Sequence, residues 1–204
     1  MSPCLSKMAD ILSERPAEII SAVLKVAEEQ IVPLMRQSVP EGNLPFAAAI
    51  LHQSDLTPFN ISVNKVKESP LLHGETNCIR EFFANPAEER PSVSSCLFFA
   101  THEPCSLCLS GISWTGFSTV CFLFTYEDTR DLLGIGGDID IIEEVFRVGG
   151  AKDAARPLYN KTNRFFTARS VAELWDGVAD EPEKERLKGE IQRVRALFDE
   201  FKQA

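Results

Sequence analysis

The chain has 204 residues, 44% of them hydrophobic and 25% charged, with a formal net charge of −9. This is enough chain for one domain with a full core. The acidic balance repels phosphate backbones, which makes nucleic acid an unfavoured partner and leaves small neutral substrates open. No apolar run is long enough for a secretory leader or a membrane span. Six cysteines show no disulfide-framework spacing. Cys78, Cys96 and Cys121 sit in apolar stretches and read as small buried hydrophobes, so a reducing, cytoplasmic setting is expected.

Residues 1–16 read as a polar lead. From Pro16, the residues Ile19, Ile20, Val23, Leu24, Ala27, Ile31 and Leu34 recur at three- and four-residue steps and predict a helix. Pro33 is expected to kink or end it. Residues 46–51 are unbroken apolar and predict a buried strand. Residues 52–58 read as a hairpin-like connection and 60–66 as a second, antiparallel strand. Pro70 stops that segment, and a helix is expected from His73 with Ile79, Phe82 and Phe83 on its apolar face.

Residues 96–101 predict another buried strand, which delivers Pro104 to the first position of a helix reaching about Trp114. A fourth strand follows at 119–124, then a short helix at 127–133. The glycine-rich loop at 134–137 lacks dinucleotide-fingerprint spacing, and 138–148 is predicted helical. The stretch from Gly149 through Phe166 has no clear period. Asp180 is placed to cap a last helix, with Pro182 in its first turn and Glu183 at the capping-box position. Its stripe of Leu187, Ile191, Val194, Leu197, Phe198 and Phe201 reads as a cover for the domain in preference to a dimer contact. Strands alternating with helices predict an α/β fold, a three-layer α/β/α sandwich.

Two short pieces carry the chemistry: His73-Gly74-Glu75 and Pro104-Cys105-Ser106-Leu107-Cys108. Positions i and i+3 share a helix face, so both sulfurs can reach one point. One His and two Cys make three ligands for zinc, and a tetrahedral ion then keeps one position for water, as catalytic sites do. Glu75, two residues from a ligand, is suited to moving protons of that water. Each half alone is weak: a Cys-x-x-Cys is often structural zinc or a redox pair. A structural quartet would need a fourth ligand, and His52, His102, Cys78 and Cys96 all lack the spacing.

The combined pattern, H-x-E followed by P-C-x-x-C, is the signature of zinc deaminases. Over roughly residues 17–170 the chain resembles the cytidine-deaminase-like superfamily. That likeness implies a central mixed sheet of about five strands; residues 171–204 lie beyond it and read as a C-terminal amphipathic helical extension packed on the domain. Glu103 before Pro104-Cys105, the Gly111-Ile-Ser-Trp114 run and Pro45-Phe46-Ala-Ala-Ala-Ile50 resemble guanine deaminases and, for the first feature, tRNA adenosine deaminases. His73 followed by Gly74 resembles fungal cytosine deaminase instead, since Ala is usual in the other two branches.

The resemblance implies zinc-dependent hydrolytic deamination of a free nucleobase or related aminated heterocycle, guanine-like first and cytosine-like second. His73, Cys105 and Cys108 would be the metal ligands and Glu75 the proton carrier. Asn64, Phe46, Gly74, Trp114 and Asp138 are candidate substrate contacts, with Phe46 and Trp114 sandwiching a flat ring. Tyr159 and Phe165 are candidates for a lid. A homodimer acting on a small molecule is expected from the same likeness. Two alternatives stand beside it: a tRNA adenosine deaminase or its partner subunit, and a non-catalytic zinc-stabilised scaffold. The first would need a cationic surface, and the second gives Glu75 no task.

Overall fold

The computed structural model describes residues 10–147 and 157–202. Its sheet has five strands in the order β2-β1-β3-β4-β5. These are β1 (Ala47–His52), β2 (Pro58–Val63), β3 (Cys96–His102), β4 (Thr119–Phe124) and β5 (Thr167–Ser170). β1 runs antiparallel to both β2 and β3, while β3, β4 and β5 are parallel. The sheet is therefore mixed, as the resemblance implies.

Alternation along the strands builds the two faces. Ala47, Ala49, Leu51, Leu97, Phe99, Cys121 and Leu123 belong to one buried cluster, and Ala48, Ile50, Phe98, Ala100, Val120 and Phe122 to the other. The first face is covered by α2 (Pro16–Val26), α3 (Val32–Ser38), α8 (Val171–Asp176) and α9 (Glu181–Leu197), which follow the short α1 (Ile11–Glu14) or close the chain. The second is covered by α4 (Gly74–Ala84) and α5 (Ser106–Thr115). Two short helices, α6 (Tyr126–Leu133) and α7 (Gly137–Ile141), follow β4.

Pro33 does not end the first long helix. A π turn at Ala27–Ile31 precedes it and α3 continues. Proline lacks an N–H and crowds the preceding turn, and a wide turn absorbs both defects. Pro104 is not the first helical residue either. Cys105 is the N-cap of α5 and Ser106 its first residue, so the proline stands one place outside. The helix predicted at 138–148 is observed as α7 and a π turn at Ile142–Phe146; Val148 lies outside the described residues.

Asp180 caps α9 by accepting from the Glu183 N–H, as its position predicted. Leu187, Val194, Phe198 and Phe201 are buried in the same cluster as α2. Among the described residues no helix is long and apolar enough to cross a membrane.

Candidate active site

The strand pairing decides where the site forms. Ala47 at the start of β1 pairs with Val63 at the end of β2, and Ala48 pairs with Ala100 near the end of β3. The turns after β2 and β3 thus leave the sheet at one edge, and each leads into the start of a helix. His73 is the N-cap of α4 and Cys105 the N-cap of α5, both in extended backbone with no side-chain cap.

In α6, α8 and α9 the N-caps Thr125, Ser170 and Asp180 accept the usual N–H group. At α4 and α5 the capping place is given to the imidazole and to a thiol. The two N-termini bring unpaired N–H groups and positive dipole ends to one point.

There the three expected ligands converge. Cys105 Sγ lies 3.4 Å from His73 Nδ1 and 3.5 Å from Cys108 Sγ, and Cys108 Sγ lies 3.6 Å from His73 Nδ1. A tetrahedral zinc with ordinary Zn–S and Zn–N bonds needs ligand atoms about 3.5–3.8 Å apart, so the triangle fits the ion. His52 and His102 take no part in the cluster.

The two thiols and the imidazole share charge. Hydrogen bonding from Cys108, and then from His73, holds Cys105 down to about 4, while Cys108 is pushed up by its hydrogen bond to Cys105 and by burial. His73 is raised by its bond to Cys105. A lowered thiol beside a raised imidazole is the pairing expected of ligands that still hold protons, and metal uptake by such a set releases protons. Glu75, in the first turn of α4, is 7% exposed. Burial, and then the charge on Cys105, push its carboxyl up to about 7. A carboxyl poised near neutrality can both take and return a proton.

Gly74 has a steric reason. A Cβ built there would lie 2.7–2.9 Å from the N, Cα and C atoms of Ala47. The first turn of α4 therefore sits directly on the β1 backbone. Ala47 is itself clamped: its N–H donates to the Thr101 hydroxyl at 3.0 Å, and that hydroxyl donates to the Ala47 carbonyl at 3.1 Å.

The remaining candidates divide. Asn64 is fully buried just past β2. Its Oδ1 accepts from the Leu44 and Val66 N–H groups, and its Nδ2 has no partner. Its backbone N–H donates to the Phe46 carbonyl at 2.8 Å. Asp138, in the first turn of α7, is pushed up to about 6 by burial and by Cys105, with His73 opposing, so it lies within electrostatic reach of the ligands.

Phe46 is half-buried and meets His102 edge-on at 4.7 Å. Trp114 does not complete a sandwich with Phe46 in the chain. It is 90% exposed and lines a groove with Leu109, Ser113, Phe165 and Phe166. Six residues beyond Cys108 is about 240° around a helix, which turns the indole away from the ligand face. Tyr159 is fixed, its hydroxyl donating to Glu103 at 2.8 Å, whereas Phe165 is 49% exposed.

Sequence reasoning missed the work of Glu103. Buried at 5% exposure, it also accepts from the Tyr126 N–H and has Lys161 at 3.8 Å. It ties the turn before Cys105 to the returning segment. Burial raises its carboxyl, against Lys161 and Tyr159. A carboxylate next to an apolar strand end is a signal that could have marked it.

A buried carboxyl beside a His/Cys/Cys triangle at two helix N-termini is the equipment of a hydrolytic deaminase. The chain matches the family described as the cytidine and deoxycytidylate deaminase zinc-binding region over residues 23–124, half its length, and it belongs to that family. Among similar proteins, one named "Probable cytosine deaminase" from Schizosaccharomyces pombe is 23% identical over 128 residues, 62% of this chain and 71% of that protein. A solved guanine deaminase from Bacillus subtilis is 24% identical with a TM-score of 0.46, covering 65% of this chain and 82% of that one. A second, from Nitrosomonas europaea, is 15% identical with a TM-score of 0.47, covering 85% and 92%.

Proposed function

We propose that the chain deaminates a free nucleobase, guanine before cytosine, with release of ammonia. The supporting observation is a pair of complementary polar groups, one on the segment that leads from β2 toward α4 and one within electrostatic reach of the triangle. Asn64 Nδ2 is a buried donor without a partner, and Asp138 is a part-buried carboxyl facing the ligands' charge. A donor and an acceptor with an aromatic wall suit a flat ring that carries both a carbonyl and an N–H. A free base keeps the ring N–H that a nucleoside has given to its sugar. An unpaired buried donor is costly until something binds it, so the site gains most from a ligand that supplies the missing acceptor.

His73, Cys105 and Cys108 would hold zinc, which when bound makes water acidic enough to attack at neutral pH. Glu75 would accept one proton of the attacking water and deliver it to a ring nitrogen, then take the proton left on the added hydroxyl and pass it to the amine, which leaves as ammonia as the new carbonyl forms. Asn64 would orient the ring through its carbonyl, Asp138 through an N–H, and Phe46 would pack on its face. The Gly74 N–H, in the first turn of α4, is a further donor at the site.

One observation favours cytosine as the second reading: Gly74 is fixed by the Ala47 backbone, and His-Gly-Glu is the cytosine-deaminase form of the motif. The working unit is proposed to be a cytoplasmic homodimer. The described cysteines are free thiols, and Leu107, Trp114 and Phe165 leave apolar surface exposed around α5.

The test is ammonia release by zinc-loaded protein from guanine, guanosine, cytosine, cytidine, adenine, adenosine and a tRNA anticodon stem. Turnover of guanine, with cytosine slower and nucleosides inert, is the expected result. Turnover of the RNA alone would overturn it.

A further inference from the structure

The C-terminal helix touches the candidate site through a stack of rings. Arg195 of α9 lays its guanidinium 4.3 Å above the Phe124 ring, at the end of β4. It is held there by a two-pronged bond to Asp128 at 2.8 and 3.2 Å and a bond to the Leu123 carbonyl at 3.0 Å. Phe124 stacks on His102 at 4.8 Å with the ring planes 18° apart, and His102 meets Phe46 edge-on at 4.7 Å. Phe198, just past α9, closes the stack from the side, 5.2 Å from Phe124 and 6.1 Å from His102.

The stack has a polar anchor. His102 Nδ1 is 3.1 Å from the Thr101 hydroxyl, whose own proton goes to the Ala47 carbonyl. The imidazole must then donate from Nδ1. Burial keeps the ring neutral, so it supplies a flat, uncharged surface.

We propose that His102 is a positioning residue, set by Phe198 and Arg195 of the C-terminal helix, that fixes the Phe46 wall of the substrate pocket. The helix thereby gains a task beyond covering the sheet: it tunes how tightly a flat ring is held. A wall that contacts substrate and transition state alike changes binding without changing the chemical step. The kinetic part of this inference rests on the base-deaminase reading; the positioning itself does not.

The test compares wild type with Phe198→Leu, His102→Ala and His102→Phe in the full zinc-loaded chain. Steady-state kinetics use whichever substrate wild type turns over, alongside zinc content and amide exchange at residues 44–47. Phe198→Leu keeps an apolar side chain and so protects folding. Phe198→Leu and His102→Ala are expected to raise KM about five- to tenfold, the worth of one aromatic contact. Unchanged kcat and full zinc, faster exchange at 44–47, and a lower KM restored by the flat ring of His102→Phe complete the expected pattern.

A fall in thermal stability with KM and exchange at 44–47 unchanged would reduce the stack to packing and overturn the proposal. A parallel loss of kcat and zinc would overturn it too, by showing that the disturbance reaches the ligands instead of the wall. If wild type turns over no base, the base-deaminase reading fails by itself. Exchange at 44–47 then decides the positioning alone.

Discussion

Replacing Gly74 by Ala should be far more damaging than a single methyl suggests. The new Cβ would stand 2.7 Å from the Ala47 Cα, where ordinary contact begins at 3.4 Å. The gap to be opened is therefore roughly 0.7 Å, against backbone and not against a yielding side chain. β1 cannot easily give way, because the Thr101 hydroxyl grips both polar groups of Ala47. The first turn of α4 must retreat, carrying His73 and Glu75 with it.

Overpacking of this kind costs about 1–3 kcal/mol in stability, and a displacement approaching 1 Å at a reacting centre costs about 10²-fold in rate. Gly74→Ala is expected to lower kcat/KM at least tenfold, weaken zinc retention during dialysis, and unfold at lower temperature. Ammonia release, metal analysis and a thermal melt read the three effects. Gly189→Ala is the internal comparison, since nothing lies within 4 Å of its added Cβ in α9. It should stabilise the helix by about 0.5–1 kcal/mol. A Gly74→Ala protein with wild-type kcat/KM and full zinc would refute the steric reasoning.

Glu75→Gln should keep zinc and the fold but lose about 10²–10⁴-fold in kcat, as removal of a proton carrier does; a stopped-assay comparison at matched zinc content measures it. Asp138→Asn should raise KM about tenfold or more for a base while leaving zinc content untouched, the loss of one charge-assisted hydrogen bond. Equal KM for both proteins would remove Asp138 from the pocket. His102 predicts an acid response. Burial depresses it to about 3 from the ordinary 6.5, so the unfolded chain takes up the proton first as pH falls. Stability is intact above pH 6.5 and declines on the way to pH 3. The share due to His102 is about 2 kcal/mol between pH 7 and pH 5. Urea unfolding at those two pH values should show a smaller loss for His102→Gln, and equal losses would exclude His102 as the cause.

The central strands and the zinc motif were legible because each has a local cause. Largely apolar runs mark 46–51, 96–101 and 119–124, and the ligands lie beside helix starts that the prolines and polar residues announce. β5 was not placed from sequence. Thr167-Ala-Arg-Ser170 is an edge strand of four residues with a charge inside it, and it owes its form to pairing with β4. α8 escaped for the same reason of length, although Ser170 and Glu173 form a capping box. The exposure of Trp114 was not legible, because a motif followed along the sequence does not show its turn around the helix. The roles of Glu103 and His102 depend on Tyr159, Lys161, Phe124 and Phe198, which sequence distance keeps apart and only the fold brings in.

The π turn at Ala27–Ile31 also has a meaning as a phase correction. Val23, Ala27, Ile31 and Met35 are fully buried and Val39 nearly so, at strict four-residue steps. On a regular α-helix such a row would wander about 160° around the axis from first to last. One extra residue held in a wide turn takes back about 100° of that drift. Deleting a single residue from this turn would therefore act like taking up slack: the wide turn would close to an ordinary α turn, and Met35 and Val39 would keep their place against the sheet.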